Sequence, residues 1–162
     1  MELVVLVDED DRPIGTEEKL TAHRPPGVLH RAISVFLFDS ANRVLLQRRA
    51  TSKHHFAERW SNTCCTHPRP GEDLEVAARR RLDEEMGISA IVAGAGRFTY
   101  RAEDAVAGLV EHELDHVLVG RFAGDPSPNP AEVQAWDWWD IAALRRDLAA
   151  TPERYTPWLI RV

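Results

Sequence analysis

The chain has 162 residues, 44% of them apolar and 28% charged, and a formal net charge of −6. That length and balance suit a single α/β domain over 1–162 with a sizeable core. No run approaches the roughly 18 apolar residues of a membrane span, and the acidic balance argues against nucleic acid as a partner.

Leu3–Val7 is a short apolar run ended by Asp8-Glu9-Asp10-Asp11, Pro13 and Gly15, which predicts strand, turn, strand. A short helix is expected over Glu17–Ala22 and a loop at Pro25-Pro26-Gly27. Arg31–Asp39 is almost continuously apolar, as a strand buried on both faces requires. After a polar turn at Ser40–Arg43, Val44–Arg49 pairs with it as a hairpin. Thr51–Glu58 reads as a loop carrying Lys53, His54 and His55, and Trp60–His67 as one further extended stretch.

The clearest helix follows Gly71. Glu72 and Asp73 suit its first turn, Leu74, Ala78, Leu82 and Met86 make one apolar stripe, and Gly87 ends it. Strands are expected near Ala95–Arg101 and Leu109–Phe122, a Pro-rich loop at Asp125–Pro130, a strand at Val133–Asp140 and a helix at Ile141–Ala150. Strands mixed with a few helices predict a mixed sheet.

The only two cysteines, Cys64 and Cys65, are adjacent. Neighbours rarely reach relaxed disulfide geometry, so both are expected as free thiols in a reducing compartment. The start, Met1-Glu2-Leu3-Val4-Val5, has no secretory signature, and a cytoplasmic location is expected. In an extended strand Cys65 and His67 share one face, and Trp60, Asn62 and Cys64 the other. A thiol beside an imidazole is a route to a tuned proton donor, although a core cysteine next to a surface histidine is the blander reading.

Glu111, Glu113 and Asp115 alternate onto one face of their strand, where carboxylates converge on a cation or repel each other. A solvated edge strand would carry the same pattern. His23 and His30 flank the Pro25-Pro26-Gly27 loop, and three histidines with two glutamates make a plausible Zn²⁺ or Mn²⁺ site. On the helix, Arg79-Arg80-Arg81 precedes Asp83-Glu84-Glu85. These form i,i+4 pairs in the weaker order, with carboxylates at the negative end of the dipole, so a cation near Glu85 is expected to offset the penalty. Lys19, Arg48, Arg49 and Lys53 make a local basic group suited to a diphosphate, or simply a solvated surface. Tyr100, Trp136, Trp138, Trp139 and Trp158 are core candidates whose faces can also stabilise a cation.

Several of these segments, in order, resemble one known family. They are Lys19-Leu-Thr-Ala-His23, Leu29-His30-Arg31-Ala32, Gln47-Arg48-Arg49-Ala50-Thr51-Ser52-Lys53, Trp60-Ser-Asn-Thr-Cys-Cys65-Thr-His67-Pro68, Arg79–Gly87, Glu111-His-Glu113 and Tyr155-Thr-Pro-Trp158. Together they resemble the type 1 isopentenyl-diphosphate isomerases, which have the Nudix fold, an α-β-α sandwich around a mixed sheet. The resemblance implies a first divalent metal (Mn²⁺ or Zn²⁺, or Mg²⁺) on His23, His30, His67, Glu111 and Glu113. It implies Cys65 and Glu113 as the acid–base groups, Tyr100 assisting them, and Trp158 covering a cationic centre. Glu85 and the Cys65 carbonyl hold Mg²⁺ that arrives with the substrate, and Lys19, Arg49, Lys53 and Arg81 hold its diphosphate. The implied partner is a small isoprenoid diphosphate, bound by a monomer or weak dimer, with no membrane, flavin or NAD involved. The implied reaction interconverts isopentenyl and dimethylallyl diphosphate through protonation and deprotonation on opposite faces.

The chain departs from the Nudix hydrolase box, which has Gly, then Glu, then Arg-Glu-x-x-Glu-Glu-x-Gly. Arg81 stands where the hydrolases have a metal-binding Glu, and Thr66 where they have Gly. That counts against a diphosphate hydrolase. A metal- or nucleotide-sensing module leaves the full ligand set unexplained, and a thiol-redox protein lacks the Cys-x-x-Cys spacing.

Overall fold

A computed structural model gives the conformation of residues 2–53 and 56–161, so His54 and His55, which the sequence leaves without a role, lie outside the described residues. β1 (Leu3–Val7) and β2 (Pro13–Glu18) form an antiparallel hairpin, followed by the short helix α1 (Lys19–His23). Helix α1 starts at Lys19, not Glu17, because Glu18 is its cap: the Glu18 carboxylate accepts from the Leu20 and Thr21 N–H groups at 3.0 and 2.9 Å.

Strand β3 (His30–Phe38) organises the mixed sheet, and its residues are almost all buried, as its apolar run requires. On one side it runs parallel to β8 (Leu109–Arg121), with His30 opposite Glu113. On the other it runs antiparallel to β6 (Cys64–Thr66), with Ser34 opposite Cys65. Parallel neighbours need a long crossover, and here it contains α2 (Leu74–Arg81). β4 (Val44–Arg49) pairs with β5 (Trp60–Ser61) and β9 (Val133–Trp139), and β7 (Val92–Asp104) with β8.

Alternation along β3 divides the core. Ile33, Val35 and Leu37 pack with Ala77, Ala78, Leu82 and Met86 on one face, and Phe36 packs with Leu144, Tyr155 and Leu159 on the other. Helices therefore cover both faces of the sheet. Truncating Leu82, which is fully buried, costs about 2–5 kcal/mol by analogy with other core leucines.

Besides α1, four elements differ from the sequence expectation. The helix after Gly71 is α-helical only to Arg81, and Leu82–Met86 form a wider π turn that keeps the apolar stripe. It stops at Gly87 (φ 61°), where a Cβ would lie 2.6 Å from the Ser127 carbonyl oxygen. Strand β7 exceeds Ala95–Arg101 because β8 pairs with it throughout, around a bulge at Gly94–Gly96. Trp60–His67 is not one strand: β5 and β6 are separated at Asn62 and Thr63, whose side chains bond to neighbouring backbone. Beyond α3 (Ile141–Ala150), a 3₁₀ turn at Pro152–Arg154 leads into α4 (Pro157–Arg161), which carries Trp158. Among the described residues no helix is long and apolar enough to cross a membrane.

Candidate active site

Five side chains converge where α1, the start of β3, the segment just after β6 and the first half of β8 meet. His23, His30, His67, Glu111 and Glu113 each bring one ligand atom to within 4.8 Å of the others. His23 Nδ1 donates to Lys19 O and His30 Nδ1 to Val28 O, both at 2.7 Å. With that hydrogen committed, each ring turns Nε2 inward. Nε2 of His30 and of His67 lie 3.0 and 2.5 Å from Glu113 Oε2, and Nε2 of His23 lies 3.1 Å from Glu111 Oε2. Burial opposes charge at His23, but the contacts with Glu111 and Glu113 outweigh it and push the imidazole up to about 10. At His67 burial prevails and pulls it down to about 4. Burial also opposes the Glu113 charge, yet His67, His23 and His30 hold its carboxyl well below the usual range. Imidazoles oriented by backbone acceptors around two carboxylates suit a divalent metal with mixed N/O ligands.

His67, Glu111 and Glu113 of the cluster line a cavity of about 260 Å³, which Cys65 and Trp158 also line. Tyr100 stands directly opposite Glu113 in the β7–β8 register, and its buried phenol donates a short hydrogen bond to Glu113 Oε1. Burial, then the Glu113 charge, push that phenol well above its ordinary value. As expected from alternation, Cys64 enters the core and Cys65 faces the cavity. Both are free thiols. Burial, then Asp115, push the Cys65 thiol up to about 12, so it stays protonated near neutrality. The Trp158 ring lies 6.3 Å from that of Tyr100 and 5.7 Å from that of Phe56, with the Arg49 guanidinium 5.3 Å above it.

Lys19, Arg49, Lys53 and Arg81 all line the same cavity. Acidic partners stand among them: Glu2 is 3.6 Å from Lys19, and Glu132 pairs with Lys53 and lies 3.3 Å from Arg81. Arg48 does not join the group. The strand period turns it away from Arg49, and its Nε donates to Glu58 O at 2.9 Å. Glu85 is buried behind the cavity wall, where Arg81 and Gln47 donate to it at 2.7 and 3.2 Å. Those two donors supply the compensation that its place in the last helical turn demands.

Asn62 was expected on the far face with Trp60 and Cys64, but the break in the strand turns it toward Cys65. Its Oδ1 accepts from Cys65 Sγ at 3.1 Å. No strand period signals this. Asp115 is buried against the cavity, takes a 2.7 Å hydrogen bond from Ser34, and is pushed well up by burial and then by Glu113. The acidic alternation pointed to its face without giving it a role.

This fold and site define a Nudix protein: the NUDIX domain family profile matches residues 28–159. A crystal structure of a Deinococcus radiodurans protein superimposes with a TM-score of 0.80 over 99% of this chain and 96% of that one, at 22% identity, a likeness of fold alone. More specific likeness comes from curated sequences. "Isopentenyl-diphosphate Delta-isomerase 1" of Aromatoleum aromaticum is 56% identical over 96% of this chain and 87% of its own length. The protein named isopentenyl-diphosphate Delta-isomerase in Nocardia farcinica is 54% identical over 98% and 91%. The chain belongs to the isopentenyl-diphosphate Delta-isomerase family.

Proposed function

We propose that the chain, acting as a single cytoplasmic domain over residues 1–162, interconverts isopentenyl and dimethylallyl diphosphate for isoprenoid synthesis. The observation that carries this reading is a free, cavity-facing thiol sharing one pocket with a carboxylate bound into a histidine cluster. The reaction moves a double bond by one carbon, adding a proton at one end of the alkene and removing one beside it. Each step needs a positioned acid–base group, because an unactivated alkene is a poor base and its protonated form is a tertiary carbocation.

Cys65 and Glu113 are those groups. They stand on strands at opposite flanks of β3, so a five-carbon chain between them meets one from each side. Tyr100 holds Glu113 through Oε1, leaving Oε2 toward the histidines. The Trp158 ring lines the hydrocarbon end with the Tyr100 ring packed against it, where π faces stabilise positive charge and exclude water. Lys19, Arg49, Lys53 and Arg81 bind the diphosphate, whose binding energy is spent away from the reacting carbons. His23, His30, His67, Glu111 and Glu113 fit a first divalent ion, Mn²⁺ or Zn²⁺ by their donor set, with Mg²⁺ a further candidate. Glu85 and the Cys65 carbonyl are assigned to Mg²⁺ carried by the substrate. When bound, these ions supply electrostatic stabilisation of carboxylate and phosphate oxygens. The overall change is redox-neutral and needs neither flavin nor NAD. No membrane or nucleic acid enters the scheme, and a monomer or weak dimer suffices.

The test is incubation with isopentenyl diphosphate and Mg²⁺, reading the allylic product by its acid lability. Release of phosphate or pyrophosphate without an allylic product would favour the hydrolase reading, against which Arg81 stands.

A further inference from the structure

We infer that Asn62 is the positioning residue that seats the Cys65 thiol and the Trp158 indole in one fixed relation. The inference rests on the roles proposed above for those two residues. Asn62 is fully buried, and its amide nitrogen donates to two backbone carbonyls, Val35 O at 3.0 Å and Cys64 O at 2.8 Å. Both hydrogens of the amide are thereby committed to acceptors, so the group has one orientation and its Oδ1 has no choice but to face the cavity side. That oxygen accepts from Cys65 Sγ at 3.1 Å, from Trp158 Nε1 at 3.0 Å and from Ser61 Oγ at 2.8 Å.

The chemistry of this hub follows from counting. A carbonyl oxygen has two lone pairs, and three donors converge here. The thiol is the weakest donor of the three. It can turn its hydrogen into the cavity while Ser61 and Trp158 keep Oδ1 satisfied, so releasing it leaves no buried acceptor bare. Ser61 Oγ ties the arrangement to the C-terminal segment, accepting from Thr156 Oγ1 at 3.1 Å and sharing with Asn62 Oδ1 the single indole hydrogen of Trp158, 3.0 Å from each. Asn62 thus joins β6, which carries the thiol, to α4, which carries the indole. Among the described residues its hydrogen bonds reach neither the histidine cluster nor the basic group, and its one link to the latter runs through the Trp158 ring, 5.3 Å below the Arg49 guanidinium, so its loss acts chiefly on the chemical step.

The test compares Asn62→Ala and Ser61→Ala with the wild-type chain, metal-loaded, on isopentenyl diphosphate. It also reads the S–H infrared band of Cys65 in a Cys64→Ala background, where that thiol is the only one left. Asn62→Ala is expected to lower kcat roughly ten- to a hundredfold while KM stays within about twofold, as for a misplaced catalytic group. The S–H band should move to higher frequency as its nearer acceptor disappears and only Ser61 Oγ, 3.8 Å from Cys65 Sγ, is left to it. A folded Asn62→Ala variant with wild-type kcat, or with KM raised in place of a lower kcat, overturns the inference. If Asn62→Ala does not fold, Ser61→Ala decides, because it leaves both backbone bonds of the amide intact. A several-fold lower kcat at unchanged KM supports the hub, and unchanged kcat overturns it. A wild-type chain that fails to isomerise the substrate sinks the functional reading instead. The infrared band still judges Asn62 in that case, and a band that does not move refutes its hold on the thiol.

Discussion

Tyr100 and Glu113 face each other across the β7–β8 ladder, and the phenol of one is hydrogen-bonded to the carboxylate of the other. The same carboxylate meets His30 and His67 through its second oxygen. Glu113 is thereby held at both ends, one oxygen by a neutral donor and one by the cluster. Removing the phenol oxygen should leave the other four ligands and Oε2 of Glu113 in place and loosen only Oε1 of the carboxylate proposed to react. Tyr100→Phe is expected to lower kcat about ten- to a hundredfold, with metal content and KM little changed. Loss of bound metal in that variant would show that Tyr100 serves the cluster instead.

The histidine cluster predicts a stability change on metal removal. Five ligands gathered from α1, β3, β8 and the segment after β6 tie distant parts of the chain together, and an ion that binds only the folded form raises its stability by mass action. Chelation should lower Tm and abolish turnover, and adding back a divalent ion should restore both. An unchanged Tm after demonstrated metal loss would mean that the cluster is held by its own hydrogen bonds.

Glu85 separates the two proposed metal sites. It lies outside the five-ligand cluster, is buried, and is bound by Arg81 and Gln47. Glu85→Gln should weaken Mg²⁺-dependent substrate binding, seen as a KM several-fold higher, while the first metal is retained. Metal analysis of the purified variant decides, and loss of the first ion would contradict the assignment.

Stability should fall with acid in a way that Glu72 reports. Its pairing with Arg80, through two hydrogen bonds of 3.0 Å, is the largest influence on its carboxyl and lowers it below the ordinary value. A carboxyl lowered in the folded state stabilises the fold above its unfolded value, and that contribution is lost as pH falls through the folded value. Glu72→Gln should therefore reduce Tm at neutral pH and narrow the gap to wild type below about pH 4. An equal gap at both pH values would refute the pairing as its source.

The parts of this site that follow a strand period were legible in the sequence. Alternation put Cys65 and His67 on one face with Cys64 in the core, and set Glu111, Glu113 and Asp115 together. The basic residues illustrate the limit: proximity in sequence groups Arg48 with Arg49, and the same alternation separates them. Asn62 was misplaced because the strand breaks there, where Thr63 takes over the hydrogen bonds of a ladder, donating to Leu45 O and accepting from Leu37 N. The π turn at Leu82–Met86 was hidden because it preserves the apolar stripe of an ordinary helix. Glu132 carried no local signal, since its place beside Lys53 and Arg81 depends on how the Pro-rich loop docks against the end of that turn. That Tyr100 faces Glu113 depends on the hairpin register, which residue types alone do not set.

The most direct measurement follows isopentenyl diphosphate by NMR in D₂O, with Mg²⁺ and the metal-loaded chain, beside the Cys65→Ala variant. The expected result is dimethylallyl diphosphate carrying deuterium at the carbon that gains the hydrogen, with turnover lost in the variant although it stays folded and still binds the diphosphate. An alkene that never shifts, or a variant that shifts it as fast as the wild type, would contradict the role given to that sulfur.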